Sequence, residues 1–356
     1  MEYRHLGRSG LKVSLLSLGT MNFEGAGMFG KAGTVPVNEA QRLLDLALDH
    51  GVNLIDTSNV YSTGKSEEVV GQILKGRPDQ ILVGTKVRFP MGKGPNEQGL
   101  SRFHIIQACE ASLKRLGRDR IDIYYLHQWD GLTPVEETME ALDTLVKQGK
   151  IRYAACSNFS GWHIMKCLMA AERHNYQRFV CQQIHYTIEA RDAEYELIPI
   201  ALDQGVGVQV WSPIAGGLLS GKFRRNAPPP QISRHVEGWG EPPIRSETRL
   251  YDIIDALVKV GEAHGVSAAQ VALSWLSGRA GVANIIVGAR SEAQLQDNLA
   301  SATLFLSAEQ RKHLDELSLL PLIYPYWHQC STAVERLGPA DLALHGPHAA
   351  SAKPRM

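Results

Sequence analysis

The feature that most restricts the fold of this chain is an alternation of short apolar runs with amphipathic stretches of helical period, which extends over almost all of its 356 residues. Such an alternation predicts parallel strands joined by crossover helices. The eight predicted strands are VSLLSLG ending at Gly19, VNLID ending at Asp56, ILVGTK ending at Lys86, IDIYYLH ending at His127, IRYAACSN ending at Asn158, VCQQIHY ending at Tyr186, VGVQVWS ending at Ser212 and ANIIVGA ending at Ala289. An open doubly wound sheet typically has about five or six strands. Eight units therefore favour the α/β class and a single closed (β/α)8 TIM barrel.

Three segments lie outside this repeat. The opening MEYRHLGRSGLKVS predicts a β-hairpin that turns at Arg8-Ser9-Gly10 and closes the barrel floor. The segment 222–248, after the seventh strand, is rich in proline and glycine and lacks a helical period, so we expect a long loop. The barrel is expected to span residues 1–320, and residues 321–356 are expected to form a C-terminal loop and a weakly ordered tail.

Composition excludes several classes of function. Lys plus Arg equals Asp plus Glu, 37 of each, so no broad electrostatic field attracts nucleic acid or an anionic membrane. The five cysteines form no C-x-x-C pair, which argues against a disulfide framework or structural zinc, and the thirteen histidines show no metal-binding spacing, so we expect no metal. With a polar N-terminus and no apolar run approaching 18 residues, a cytoplasmic protein is expected. A homo-oligomer is compatible with the sequence.

Two motifs suggest dehydrogenase sites but lack the required context. GAGMFG, from Gly25 to Gly30, matches the dinucleotide-binding G-x-G-x-x-G pattern. It neither follows a predicted strand directly nor begins a helix, and the pyrophosphate site needs both. YSTGK, from Tyr61 to Lys65, matches a Tyr-x-x-x-Lys pair, but Ser-Thr-Gly between the two residues predicts a turn rather than a shared helical face. We interpret both as loop sequences.

Polar side chains follow the ends of three consecutive predicted strands. Asp56 ends the second strand and Tyr61 lies five residues beyond it, while Lys86 and His127 end the third and fourth. Because the active sites of (β/α)8 barrels lie at the carboxyl ends of the strands, we expect these four side chains to converge.

Several segments resemble the aldo-keto reductase superfamily. They are DTSNVYSTGKSEEVVGQIL, VGTK, YYLHQWD and CSNF, and the resemblance covers about residues 1–320 in order. HQWDGLTPVEETMEALDTLVKQGKIR and SPIAGGLLSGKF are most similar to the branch that includes aryl-alcohol-dehydrogenase-like and potassium-channel β-subunit-like members. The resemblance implies reversible NADPH-dependent reduction of an aldehyde or ketone to an alcohol.

The chemistry of the four residues suits that reaction. A carbonyl that receives hydride becomes an alkoxide and needs a proton, which Tyr61 could donate. A buried Lys86 ammonium nearby is expected to lower the pKa of Tyr61 by favouring phenolate. Asp56 would pair with Lys86, and His127 would orient the substrate oxygen by a hydrogen bond.

By the same resemblance, NADP(H) lies across the remaining strand ends. Near the ends of the fifth and sixth strands, the carboxamide would be held by Ser157, Asn158 and Gln183. Trp211 would stack on the nicotinamide, and segment 212–222 would surround the pyrophosphate with N–H groups. Arg290 would bind the 2′-phosphate, so NADH is expected to be a weaker cofactor. The implied contacts are Gly19, Thr20, Met21, Asp56, Ser157, Asn158, Gln183, Trp211, Ser212, Pro213, Ile214, Ala215, Gly216, Leu218, Gly221, Lys222, Gly288, Arg290, Gln294 and Asn298.

The substrate pocket and two other functions stay open at this point. The candidate wall residues are Phe23, Tyr61, His127, Trp129, Tyr324, Tyr326 and Trp327. The long loop suggests room for a bulky carbonyl compound. One alternative is a regulatory subunit that senses redox state by binding NADP(H), with incidental turnover. The other is an isomerase or aldolase that uses Lys86 as a Schiff base.

Overall fold

A closed barrel of parallel strands forms the centre of the protein. The computed structural model describes residues 1–231 and 233–349. Eight parallel strands close in the order β10-β3-β4-β5-β6-β7-β8-β9, which confirms the predicted (β/α)8 fold. The barrel strands are β3 (Leu16–Gly19), β4 (Leu54–Asp56), β5 (Leu82–Val87), β6 (Ile121–Leu126), β7 (Ile151–Ser157), β8 (Phe179–His185), β9 (Gly207–Trp211) and β10 (Val282–Val287).

Helices surround this barrel and bury their apolar faces against it. Their bounds are α1 (Val37–Asp49), α2 (Lys65–Leu74), α3 (Arg102–Leu116), α4 (Val135–Lys147), α5 (Gly161–His174), α6 (Leu197–Gln204), α7 (Glu247–His264), α8 (Ala268–Ser277), α9 (Glu292–Ala300), α10 (Ala308–Ser318), α11 (Tyr326–Thr332) and α12 (Pro339–Ala349). In α3 the Ser101 hydroxyl accepts a hydrogen bond from the His104 N–H, and Gly117 ends the helix with φ 61°. Both boundaries follow from ordinary capping chemistry. None of the helices described is both long and apolar enough to cross a membrane.

An N-terminal hairpin closes the amino ends of the strands. Strands β1 (Tyr3–His5) and β2 (Lys12–Ser14) pair antiparallel, as predicted. Leu6 is fully buried in an apolar cluster with inward-facing side chains of the barrel. A Cβ on Gly7 would lie 2.3 Å from the Val180 oxygen and 2.5 Å from the Gly207 nitrogen, so the hairpin backbone packs directly on two strand starts. The floor is therefore a dry apolar plug.

A polar network crosses the barrel interior above this plug. Tyr125 donates its hydroxyl to the side-chain oxygen of Gln209, whose Nε2 donates to Asn284 Oδ1 at 3.1 Å. Ser17 Oγ donates to the same Asn284 oxygen at 2.9 Å, and Asn284 Nδ2 donates to the Ser14 carbonyl at 2.8 Å. The buried polar atoms of this layer thus satisfy one another, as a barrel interior requires.

The segments after the barrel strands differ in how well sequence predicts them. Between β9 and α7, the described residues beyond Lys222 contain turns but no α-helix or strand, which confirms the long loop up to Ser246. The prediction of a weakly ordered tail is wrong for residues 339–349, because these form α12, where Leu344 and His345 are buried. Residues 350–356 lie outside the described part of the chain.

Candidate active site

The side chains of Asp56, Tyr61, Lys86 and His127 meet at the carboxyl ends of β4, β5 and β6. The Lys86 ammonium donates to Asp56 Oδ2 at 2.6 Å and to the Thr57 carbonyl at 2.9 Å, and its nitrogen lies 3.4 Å from the Tyr61 hydroxyl oxygen. The rings of Tyr61 and His127 meet edge to face with centroids 5.9 Å apart. The four predicted residues are thus brought together by the barrel.

Strand register and one strained turn produce this convergence. Asp56 pairs with Gly84 across β4 and β5, and Lys86 lies two residues farther toward the same end. His127 continues β6 by donating its main-chain N–H to the Val87 carbonyl at 2.8 Å. Tyr61 begins a 3₁₀ turn in which Ser62 has φ 50°. Left-handed backbone at a residue other than glycine carries strain, and such strain is concentrated at functional sites.

Lys86 and Asp56 form a buried ion pair. Lys86 is fully buried and Asp56 nearly so. Burial lowers the pKa of Lys86, but contact with the Asp56 carboxylate and with Tyr61 more than offsets it, so the net pKa is raised. Gln183 Nε2 donates to the second Asp56 oxygen at 2.8 Å. Because a Schiff-base lysine must lose its proton, this raised pKa argues against Lys86 as a nucleophile.

The pKa of Tyr61 differs from the prediction. Burial raises it and the Lys86 ammonium lowers it, and burial has the larger effect. The expected net decrease is therefore wrong, because the sequence shows the cation but not the desolvation of the phenol. A raised pKa keeps the Tyr61 hydroxyl protonated at neutral pH.

His127 is neutral in this site. Burial, together with the nearby charges of Lys86 and Arg88, lowers the pKa of His127 well below its usual value. Its Nδ1 lies 3.1 Å from Ser58 Oγ. When Ser58 donates this hydrogen bond, the imidazole carries its proton on Nε2. No described residue accepts a hydrogen bond from Nε2, so this N–H is available to a substrate oxygen.

The aromatic wall of the site was largely missed by sequence reasoning. Phe29 packs edge to face on Tyr61 with ring centroids 5.5 Å apart. Its ring centroid lies 6.3 Å from that of Trp239, in the long loop. Phe89 packs on His127 at 4.9 Å. These three residues lie in loops without periodicity, and their only sequence signal is an aromatic residue in a long connection at the barrel mouth.

The structure gives the other candidate wall residues different neighbours. Phe23 is fully buried in the hydrophobic core, so it cannot line an open pocket. Trp129 stacks on His163 with centroids 4.0 Å apart. Tyr324 and Trp327 are exposed and contact each other. Beside them, the Tyr326 hydroxyl reaches Glu196 at 3.3 Å. Among the described residues, Tyr61 and His127 make no ring contact with Trp129, Tyr324, Tyr326 or Trp327.

Comparison with known proteins identifies the family. The sequence model described as "Aldo/keto reductase family" matches residues 15–319. The chain belongs to this family. It is 36% identical over 330 residues to the uncharacterized oxidoreductase YrpG of Bacillus subtilis (strain 168), covering 89% of this chain and 96% of that protein. It is 35% identical over 306 residues to a probable voltage-gated potassium channel subunit beta of Arabidopsis thaliana, covering 84% of this chain and 90% of that one.

The matches make this aldo/keto reductase family member an oxidoreductase. A third relative, a probable voltage-gated potassium channel subunit beta of Oryza sativa subsp. japonica, is 35% identical over 306 residues and agrees with the branch inferred from sequence. GAGMFG lies in a loop, as expected, whereas YSTGK is a 3₁₀ turn whose last residue, Lys65, begins α2. Gly25 and Gly30 flank the start of a 3₁₀ turn rather than an α-helix, and Lys65 is exposed and pairs with Glu68.

In this aldo/keto reductase family member, the residues expected around the nicotinamide cluster beside the four. Asn158 Nδ2 donates to the His127 carbonyl at 3.0 Å, and Trp211 Nε1 donates to Asn158 Oδ1 at 3.1 Å. Ser157 Oγ is buried without a hydrogen-bond partner. On the opposite side, Thr20 Oγ1 donates to the Asp56 carbonyl at 3.1 Å. Gly19 ends β3, and Met21 follows Thr20 at the mouth.

The segment expected to surround the pyrophosphate is a left-handed turn. Ser212, Ala215 and Gly216 have φ of 51°, 51° and 64°. The Ala215 N–H donates to the Ser212 carbonyl at 2.9 Å, and the Gly216 N–H donates to Ser212 Oγ at 3.1 Å. These two N–H groups are therefore engaged within the turn. The rest of the segment, Pro213, Ile214, Leu218, Gly221 and Lys222, continues from it.

Two guanidinium groups, Arg290 of the expected adenosine end and Arg234, lie near each other at the mouth. Arg290 packs its stem against Gly33, where an added Cβ would lie 2.4 Å from Arg290 Cδ, and its main-chain N–H donates to Gln294 Oε1 at 2.9 Å. Arg234, from the long loop, was not predicted. Burial, and to a smaller extent the charge of Arg290, lowers the pKa of Arg234. The charge of Arg234 in turn opposes the rise in the pKa of Tyr61. Neighbouring Gly288 is exposed, whereas Asn298 is buried.

Proposed function

We propose that the protein reversibly reduces an aldehyde or ketone to an alcohol with NADPH as the cofactor. The observation that carries the proposal is the Tyr61 hydroxyl next to the Lys86 nitrogen and near His127, whose Nε2 has no hydrogen-bond partner among the described residues. Carbonyl reduction needs such a proton donor, a cation next to it, and a hydrogen bond to the reacting oxygen.

Each of the four residues has a distinct task in this reaction. Tyr61 donates its proton as the carbonyl oxygen gains negative charge, and in reverse its phenolate accepts the alcohol proton. Lys86 stabilises that phenolate without losing its own proton. Asp56 holds Lys86 in place and balances its charge. His127 donates from Nε2 to the carbonyl oxygen and so fixes its position. When bound, NADPH supplies the hydride.

The residues at the remaining strand ends fit this cofactor. The buried, unpartnered Ser157 Oγ matches the polar carboxamide of a nicotinamide, and the indole of Trp211 offers a flat apolar face. Arg234 and Arg290 lie close enough to lower the pKa of Arg234, and neither has an ion-pair partner among the residues described. A phosphate would offset both charges, which supports NADPH over NADH.

The deciding experiment compares Tyr61→Phe with the wild type. NADPH and NADH are titrated by fluorescence, and a panel of aldehydes and ketones is followed at the nicotinamide absorbance. We expect wild-type turnover with NADPH, and a loss of kcat of about 10²- to 10⁴-fold in Tyr61→Phe with NADPH binding retained. Tyr3→Phe, at the exposed floor hairpin, is the matched control. Full activity in Tyr61→Phe would remove the assigned proton donor.

A second candidate function is suggested by the names of two relatives. Both are described as probable potassium channel β-subunits, which suggests a regulatory subunit that binds NADP(H) and turns over incidentally. The two candidates differ in the release of oxidised cofactor. An enzyme releases NADP⁺ as fast as it turns over saturating substrate, whereas a sensor releases it very slowly. Stopped-flow displacement of NADP⁺ distinguishes them.

A further inference from the structure

A cation that has no hydrogen-bond or ion-pair partner among the described residues lies near His127. The Arg88 guanidinium lies over the ring of Phe89, with its central carbon 5.3 Å from the ring centroid. The Phe89 ring packs on His127 with centroids 4.9 Å apart. The guanidinium is thus no farther from the His127 ring than these two distances together. Only one aromatic ring separates the charge from the proposed carbonyl site.

No described residue neutralises this charge by contact. Arg88 makes no side-chain hydrogen bond and no ion pair in the described part of the chain, and its Nε is buried without a partner. Asp130 is close enough for Arg88 to contribute to lowering its pKa. Its carboxylate instead accepts hydrogen bonds from the N–H groups of Leu100 and Leu132 and from the Thr133 hydroxyl. An anion bound here would supply the partner that the described residues do not give this guanidinium.

The backbone holds Arg88 in an unusual conformation. Its φ is 152°, which L-residues rarely adopt, and its carbonyl accepts the Gly99 N–H at 2.8 Å. The next hydrogen bond of this loop ties Leu100 to Asp130 at 2.7 Å. The main chain of the loop after β5 is therefore fixed at both Arg88 and Leu100, which sets the point from which the Arg88 side chain extends.

We infer that the substrate carries a carboxylate, which Arg88 binds while the carbonyl group of the same molecule meets Tyr61 and His127. The inference rests on the proposed function and adds a substrate class to it: aldehydes or ketones whose carboxylate is separated from the carbonyl by about one aromatic ring. A planar guanidinium pairs with a carboxylate through two parallel hydrogen bonds, and a substrate ring can pack against Phe89 and Phe29.

The other cations of the mouth have assignments of their own. Lys86 is paired with Asp56. Under the proposed function, Arg234 and Arg290 bind the cofactor phosphates. We therefore assign Arg88 to the substrate, and its effect on catalysis should depend on whether the substrate is charged.

The test compares two substrates that differ in one charge, 4-carboxybenzaldehyde and its methyl ester, with NADPH oxidation as the readout. We expect the wild type to prefer the acid in kcat/KM, and Arg88→Met to reduce the ratio of acid to ester about 10- to 100-fold, chiefly through KM of the acid. Arg88→Lys should restore part of the ratio. Lys93→Met, which removes an exposed cation from the same loop, should keep the wild-type ratio.

A binding measurement separates this inference from the proposed function. 4-(Hydroxymethyl)benzoate and its methyl ester are titrated calorimetrically into the wild type and Arg88→Met, with and without NADP⁺. Carboxylate binding that depends on Arg88 in a protein without turnover would support the inference while the proposed function fails. Equal ratios in wild type and Arg88→Met, or equal losses for both compounds, would overturn the inference. If Arg88→Met does not fold, a wild type indifferent to the charge overturns it equally.

Discussion

The two ends of the barrel are formed by the same strands but closed in opposite ways. At the amino ends, Leu6 of the hairpin fills an apolar plug, and Arg4 donates to the Ser277 and Val282 carbonyls at 2.8 Å each. At the carboxyl ends lies the buried ion pair Lys86–Asp56. The polar groups named at this floor pair within the protein, whereas Arg120 Nε and Asp122 Oδ1, at the start of β6, are buried without a hydrogen-bond partner among the described residues.

The mouth does not satisfy all of its buried polar groups. Ser157 Oγ, both side-chain polar atoms of Asn59 and Arg88 Nε have no partner there. A buried polar atom without a hydrogen bond costs about 1–3 kcal/mol. The floor is thus organised for stability, whereas the mouth retains groups whose natural partners are ligands. Substitutions at the floor should change stability and spare activity, and substitutions at the mouth should do the reverse.

Lys86 is the expected exception to this contrast, because it is assigned to catalysis and its ion pair with Asp56 also contributes to stability. Lys86→Met should lower kcat about 10²- to 10⁴-fold and also lower the free energy of unfolding by about 3–5 kcal/mol, since Asp56 is left buried and unpaired. The double variant Asp56→Asn/Lys86→Met should regain much of the stability but no turnover. Urea unfolding and steady-state rates measure the two effects. Turnover in the double variant would contradict the assignment of Lys86.

Leu6→Ala tests the floor. Removing a fully buried side chain from the plug should lower the free energy of unfolding by about 2–5 kcal/mol, because a cavity remains that the rigid strand ends cannot fill. kcat should change less than about twofold, and urea unfolding together with turnover provides the measurement. Leu132→Ala is the matched control, since Leu132 is 98% exposed and its loss should change stability by less than about 0.5 kcal/mol. A large loss of kcat at normal stability would show that the floor is not independent of the mouth.

Arg290→Ala tests the cofactor side of the mouth. We expect KM for NADPH to rise about 10- to 100-fold and KM for NADH to rise much less, because the variant removes a charged hydrogen bond that only the 2′-phosphate can accept. Steady-state kinetics with both cofactors and one aldehyde provide the comparison, with Arg102→Ala on α3 as a control distant in sequence. Equal increases for both cofactors would show that Arg290 does not contact the phosphate.

Sequence predicted the barrel and the convergence of four side chains because both depend on strand ends, which periodicity locates well. Asp56 and His127 needed no knowledge of any loop. Phe29, Trp239 and Arg234 were missed because they lie in long connections whose course is determined by tertiary packing. Phe23 was placed wrongly for the same reason.

The direction of the Tyr61 pKa shift was also beyond the sequence. The spacing of the strands shows that Lys86 lies at the strand end next to that of Asp56. The net shift in the pKa of Tyr61, however, depends on how far water is excluded from its phenol. The helix over residues 339–349 was missed because its sequence, with Pro347 and Gly346, has weak helix propensity. Its packing partner, α6, is adjacent to it only in the folded protein.

The smallest expected effect is the contribution of His127 to the loss of stability at low pH. The pKa of His127 is lowered on folding, so below a pH of about 6.5 the unfolded chain binds a proton that the folded one refuses. The His127 contribution is therefore absent above that pH and destabilises the fold as the pH falls toward the folded pKa, by at most about 1.4 kcal/mol per pH unit.

His127→Gln should remove this part of the slope, because an amide keeps a partner for Ser58 and does not titrate. Urea unfolding at several pH values between 7.5 and 5 measures it. His185, whose pKa burial lowers to about 4, and His104 contribute in both proteins, so subtracting the variant from the wild type isolates His127. Leu132→Ala, at an exposed position without a titratable group, should keep the wild-type slope. If His127→Gln also kept that slope, the mouth histidine would be charged in the folded protein and could not serve as the neutral donor assigned to it.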